Sequence, residues 1–225
     1  MQLGKLLSRC FIRSLTFPLM MTTPAMAAAT LMEEDPAVSA DAARQMLIDG
    51  NKRFVEGKLS AYDVGTTRRI QLANGQYPFA VVVTCSDSRV PPELIFDQAL
   101  GSLFVIRVAG NVLDAIALGS VEYAVEHLNT KLVVVMGHEK CGAVKATVDG
   151  GHVPPNIGAI AAKIQPAVEF AKATNPINLY EAATDANIIN MVKLLKDDQI
   201  IANLSEVQVI GAKYHFESGE VIFGS

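Results

Sequence analysis

Surplus positive charge is missing from this chain. It carries 19 lysines and arginines against 23 aspartates and glutamates over 225 residues, a formal net charge of −4. That balance leaves no electrostatic footprint for nucleic acid or for an anionic membrane surface. Cysteine is scarce too, with Cys10, Cys85 and Cys141 making up the whole set. Low-complexity tracts, internal repeats and linkers are absent, and the length suits one sizeable core, so a single domain is expected. The stretch "VAGN" at 108–111 has too few glycines to cradle a phosphate.

The first 27 residues do not read as part of that core. "MQLGKLLSRCFIR" carries Lys5, Arg9 and Arg13 and no acid, and the uncharged, mostly apolar "SLTFPLMMTTPAMA" ends on Ala25 and Ala27. A basic segment, a short apolar segment and an A-x-A-like end make a secretory signal peptide. The apolar part is too short to span a bilayer stably. Cleavage after Ala27 would remove three basic residues and Cys10, leaving 16 basic against 23 acidic residues, a net charge of −7. The expected mature protein is therefore exported (periplasmic or secreted), free of the membrane, and holds two cysteines. In an exported chain, that pair first suggests a disulfide.

Residues 28–40 are small and acidic, a flexible lead-in to a domain over 41–225. From an N-cap at Ser39 or Asp41, "AARQMLIDGNKRFVEG" spaces Met46, Leu47, Phe54 and Val55 as a helix closing at Gly57. This is an N-terminal helical arm. "VGTTRRIQLANGQYP" reads as a loop with a short helix at its centre. The apolar runs "FAVVVTC" (79–85), "LFVIRVAG" (103–110) and "KLVVVMGH" (131–138) read as strands buried on both faces. Between and after them come a helical turn at "PPELIFDQ", a helix over 114–129 with Ile116, Val121, Ala124, Val125 and Leu128 on one side, and a helix opening at "CGAVKATVDG". Two more helical segments, 157–172 and 178–198, precede a C-terminal hairpin turned at "ESGE". The expected fold is α/β, a mostly parallel central sheet flanked by helices, with C-terminal antiparallel strand character.

In such sheets ligands bind beyond the carboxyl ends of the strands. Two of the three strands end in reactive residues there, "CSDSR" at 85–89 and "HEKC" at 138–141. His138 and Cys141, at a strand-to-helix turn, can converge on one ion, and Cys85 completes a Cys2His set with a fourth position open. That set belongs to catalytic zinc, one ion per chain. A Cys85–Cys141 disulfide stays open on spacing alone, although it would need none of His138, Asp87 or Arg89. The other histidines read more plainly: His127 as a packing or capping residue, His152 and His215 as surface residues.

With these motifs in view, the chain resembles the β-class carbonic anhydrases, whose signature is C-x-D-x-R after one strand and H-x-x-C after another. The resemblance runs over about residues 41–225, through "GNKRF", "SRVPPELIFDQ", "FVIRVAGN", "SVEYAVEHL" and "GHEKCGAV". It implies reversible hydration of carbon dioxide to bicarbonate and a proton through a zinc-bound hydroxide. Cys85, His138 and Cys141 would be the zinc ligands, and Asp87 and Arg89 a catalytic carboxylate–guanidinium dyad. Gln76 would hydrogen-bond substrate, Phe104 and Tyr123 would line the cleft, and the Gly142 backbone would approach the site. It further implies a homodimer or higher homo-oligomer with the cleft at the dimer interface. Asp87 would be able to leave Arg89 and close the site as a fourth ligand, in a pH-dependent switch.

The chemistry explains why a dyad is needed. Two thiolates and an imidazole neutralise the zinc charge, so its water is acidified less than by three imidazoles. A carboxylate acceptor at Asp87 compensates, and a bidentate Arg89 keeps it ionised and aimed. Two other functions use the same residues. One is hydrolysis of carbon disulfide or carbonyl sulfide on this fold. The other is a non-enzymatic zinc or redox protein built on a Cys85–Cys141 disulfide.

Overall fold

The structure is a computed structural model and describes residues 38–224. The expected signal peptide, and most of the lead-in, lie outside the described residues. No helix among those described is long and apolar enough to cross a membrane.

Five strands form one sheet in the order β2-β1-β3-β4-β5: β1 (Ala80–Thr84), β2 (Leu103–Arg107), β3 (Leu132–His138), β4 (Gln208–Tyr214) and β5 (Val221–Phe223). The valine-rich β1 and β3 are buried at every position, as continuous apolar runs must be when helices cover both faces of a parallel sheet. β1, β2, β3 and β4 are mutually parallel, and only β5 runs antiparallel, at the edge. The antiparallel character expected at the C terminus thus belongs to β5 alone. Strand β1 leads to β2 on one side, and the chain then crosses to β3 on the other. Their carboxyl ends, tied by Thr84 Oγ1 donating to the Met136 carbonyl at 2.9 Å, mark the switch point where α/β sheets bind ligands.

Among the described residues, eight α-helices surround the sheet. The arm α1 (Ala40–Val55) is capped by Ser39, whose Oγ accepts from the Ala42 N–H, and is followed by Gly57 in the left-handed region. It buries Leu47 but leaves Met46 and Val55 largely exposed. α2 (Thr66–Leu72) is the short helix expected in the polar segment, and α3 (Pro92–Ile95) the single turn. In α4 (Ala115–His127) the buried side is Ala117, Val121, Ala124 and Val125, while Ile116 is 82% exposed, contrary to its expected place on the apolar side. Asp114 caps the helix through the Ile116 and Ala117 N–H groups, which sets that rotation. α5 (Gly142–Asp149), α6 (Pro155–Ala173) and α7 (Leu179–Asp197) follow. Asp198 then leaves helical geometry, where the reading of 178–198 also ends its helix, and caps α8 (Gln199–Asn203), a short helix that the sequence reading did not include.

The arm also fixes the C-terminal hairpin. Buried Asn51 donates to the Ile95 and Gly219 carbonyls at 3.2 and 2.9 Å and accepts from the Val221 N–H at 2.8 Å. One residue earlier, Gly50 lets α1 approach α3 closely: a Cβ there would lie 1.8 Å from the Phe96 carbonyl oxygen. Alanine normally improves a helix over glycine. Here the obstacle is backbone, so Gly50→Ala is expected to destabilise the chain by about 1–3 kcal/mol. A lowered urea midpoint would show it, and an unchanged or raised midpoint would refute the close packing.

Candidate metal centre and active site

Each side chain of the centre is placed by an element end. Cys85 follows β1, His138 ends β3, and Cys141 is the N-cap residue of α5. All three are buried, and their ligand atoms lie within 4.8 Å of one another. Both cysteines are free thiols, so the disulfide alternative falls. The Cys85 thiol is pushed down to about 4 by a hydrogen bond from Cys141, outweighing burial, with His138 and the Gly110 N–H adding to the effect. The Cys141 thiol is pushed up by the same pairing and by burial.

His138 shows which of its nitrogens faces the centre. Nδ1 lies 2.8 Å from the Glu139 carbonyl oxygen, which can only accept, so Nδ1 carries the proton. Nε2 is buried and has no hydrogen-bond partner among the described residues. A buried imidazole lone pair beside two ionisable thiols is a donor set that fits zinc, and the Glu139 carbonyl fixes the tautomer and the ring's orientation.

Asp87 stands next to this cluster, its Oδ2 3.9 Å from His138 Nε2. Arg89 holds it with a fork: Nε to Oδ1 at 2.9 Å and Nη2 to Oδ2 at 2.7 Å, with the Arg89 N–H also donating to Oδ1 at 3.0 Å. These bonds, led by the Arg89 side chain and opposed by burial, hold the Asp87 carboxyl down at about 2. The described arrangement is thus the one in which Asp87 faces Arg89. Arg107, at the end of β2, clamps the loop from beneath by donating to the Cys85 carbonyl at 3.0 Å and to the Asp87 carbonyl. From the 3-10 turn over Ala109–Asn111, the Gly110 N–H donates to Cys85 Sγ at 3.2 Å. Gly110 takes φ +71°, and a Cβ there would meet Ile164 Cδ1 at 2.7 Å, so the turn requires glycine.

A family model described as carbonic anhydrase matches residues 80–221, which include the three ligand candidates and the dyad. The chain belongs to the carbonic anhydrase family. A carbonic anhydrase of Mycolicibacterium smegmatis is 38% identical over 188 residues, covering 80% of this chain and 91% of the relative. Among solved structures, the β-carbonic anhydrase CcaA aligns with a TM-score of 0.64 at 29% identity, over 81% of this chain and 95% of that one. One of two tetrameric β-carbonic anhydrases from Sordaria macrospora aligns with a TM-score of 0.62 at 25% identity, over 69% and 84%. The α/β fold with its mostly parallel sheet is the β-class fold. The family's reaction is reversible carbon dioxide hydration at zinc, and this carbonic anhydrase is an enzyme of that kind, with Cys85, His138 and Cys141 forming a cluster that could hold one metal ion.

The substrate-lining residues expected in this carbonic anhydrase are placed less uniformly. Gly142 opens α5 directly beside Cys141, and the space beyond its Cα is open. Gln76 is exposed in the loop before β1. Phe104 lies on β2 opposite Val81, three residues before Arg107, hence ~10 Å along the strand from the metal-facing end. Its ring meets Tyr123 of α4 at a tilt of 41° and 6.3 Å, and Tyr123 in turn meets His127 at 46° and 5.3 Å. Within one chain, Phe104 and Tyr123 therefore form a separate aromatic pair away from the triad. His127, expected as a packing or capping residue, is exposed at the last turn of α4, its ring against Tyr123. His152 is exposed, whereas His215 is half-buried, with Nδ1 3.5 Å from Glu139 Oε2.

Arg107, Gly110, Glu139 and Phe216 were not expected at the site. Arg107 left one trace, an arginine inside an otherwise apolar strand. Phe216 left none, because its approach depends on how the C-terminal hairpin folds back.

Proposed function

We propose that the mature chain is an exported β-carbonic anhydrase whose Asp87–Arg89 dyad directs hydration and whose cleft is completed between two copies of the chain. The observation that carries the dyad's role is the two-point fork of Arg89 on Asp87, set 3.9 Å from His138 Nε2. Zinc held by Cys85, His138 and Cys141 supplies the Lewis acidity that makes water nucleophilic near neutral pH. Asp87, kept ionised by Arg89, accepts the hydrogen bond of the attacking water and turns its lone pair toward carbon dioxide. The Gly110 N–H draws electron density from the Cys85 sulfur, which offsets part of the charge that two thiolates bring. Gln76 and the Gly142 backbone N–H suit the oxygens of carbon dioxide and bicarbonate, and Phe104 with Tyr123 suits an apolar wall.

The placement of those wall residues supports the shared cleft. Tyr123 is 47% and Ile116 82% exposed on α4, and the Phe104–Tyr123 pair does not reach its own chain's triad. A second copy can lay this face against the first copy's metal centre. The tetrameric assembly of the Sordaria macrospora relative is in keeping with a homo-oligomer. Export rests on the basic, apolar and Ala-x-Ala pattern of the first 27 residues.

Stopped-flow assays of the zinc-loaded chain from residue 28 test the reading. Saturable carbon dioxide hydration, with no turnover of carbon disulfide or carbonyl sulfide, is the expected result. Hydrolysis of either sulfur compound without hydration would overturn it.

A further inference from the structure

The C-terminal hairpin turn reaches the reacting end of the molecule, and the dyad alone does not explain why. Phe216 lies in that turn with its ring centroid 4.1 Å from Arg89 Cζ. The same ring meets the His138 imidazole edge-on, at 5.4 Å and 68°, and Tyr214 supports it at 5.4 Å and 87°. Phe216 itself is held firmly. Its N–H donates to Glu139 Oε1 at 2.7 Å, directly after the ligand His138, and the Glu139 N–H donates to the Tyr214 carbonyl at 3.3 Å. Farther round the turn, His215 and Glu220 pair through the backbone at 2.9 Å, and Asn51 of α1 holds the Gly219 carbonyl. The buried Asn51 of the arm thus anchors the turn that sets an aromatic face against a guanidinium.

We propose that Phe216 is the positioning residue for the dyad, stacking under Arg89 so that its fork stays aimed at Asp87. Arg89 needs such help. Its side chain is 53% exposed, and an arginine loses much rotamer freedom when ordered. An ion pair that open to water does little to hold itself in one geometry. A planar guanidinium lies favourably on an aromatic face, while its edge remains free to bond a carboxylate. Phe216 supplies that face, and the edge contact with His138 puts the ligand and the dyad on a common support. This proposal rests on the hydration reading only for its kinetic consequence.

Phe216→Leu, which keeps an apolar side chain but no ring face, and Phe216→Tyr, which keeps the face, separate stacking from bulk. Two quantities are read on the zinc-loaded chains: kcat/KM for hydration, and the Arg89 Nε–Hε resonance, assigned by its loss in Arg89→Lys. The expected result for Phe216→Leu is a kcat/KM lower by about 5- to 10-fold at unchanged zinc content, with the upfield ring-current shift of Arg89 abolished. Phe216→Tyr is expected to restore both. A leucine variant matching the parent in both readings overturns the proposal, as does a tyrosine variant failing like leucine. If Phe216→Leu does not fold, the parent decides: an Arg89 resonance without an upfield shift overturns the stack. A parent that hydrates no carbon dioxide while Phe216→Leu still moves the Arg89 signal would reject the hydration reading and leave the positioning intact.

Discussion

Exchanging Asp87 for asparagine is expected to lower kcat/KM for carbon dioxide hydration by on the order of 10²-fold or more, with zinc still bound. Asparagine nearly preserves the shape of the side chain, so the loop clamped by Arg107 should hold. What disappears is the charge. Arg89 loses the anion that both of its fork nitrogens bond, and the group 3.9 Å from His138 Nε2 is no longer a carboxylate. An amide can present its NH2 group there as well as its oxygen, and a donor aimed at the attacking water would turn the lone pair away from substrate. Stopped-flow kinetics with zinc analysis on the same samples measures the effect. A variant that hydrates as fast as the parent would remove Asp87 from the mechanism.

Cys141→Ala is expected to do more, by taking the metal away. Cys141 occupies the N-cap position of α5 but makes no capping hydrogen bond with its side chain, so alanine should leave the helix start intact. The centre itself loses one of two sulfur donors. Loss of an outer-shell partner typically weakens metal binding by roughly 10- to 100-fold, and loss of a direct ligand should exceed that. The chain is then expected to purify with little zinc and to show no measurable hydration. Thermal unfolding gives an independent reading, because a metal that binds the folded chain preferentially raises its stability. The parent should melt higher with added zinc and Cys141→Ala should not respond. A variant that keeps full zinc would mean that the metal is held elsewhere.

Much of the centre was legible because its signals are local. The valine runs of β1 and β3 are read directly as doubly buried strands, and adjacency at a switch point places Cys85 beside His138 and Cys141. The C-x-D-x-R spacing brings Arg89 onto Asp87 within two residues. The remainder depends on contacts that no local spacing encodes. Arg89 and Phe216 are 127 positions apart, and the turn carrying Phe216 is anchored by Asn51 on the first helix. The parallel placement of β4 beside β3 follows from the crossover through α5–α8 rather than from any pattern in "VQVIGAKY". On α4, the helical period alone admitted Ile116 to the buried face, and the Asp114 cap and the outward turn of the first residues decided otherwise. Phe104 and Tyr123 lie in ring contact with each other, and their offset from the triad follows from the register of β2 against β1, which no local spacing encodes.

X-ray absorption at the zinc edge of the loaded chain tests the central claim most directly. The expected spectrum shows one zinc per chain with two sulfur neighbours at about 2.3 Å and an imidazole nitrogen near 2.0–2.1 Å. A zinc shell of oxygen and nitrogen without sulfur, or one unchanged by Cys141→Ala, would contradict a centre built from Cys85, His138 and Cys141.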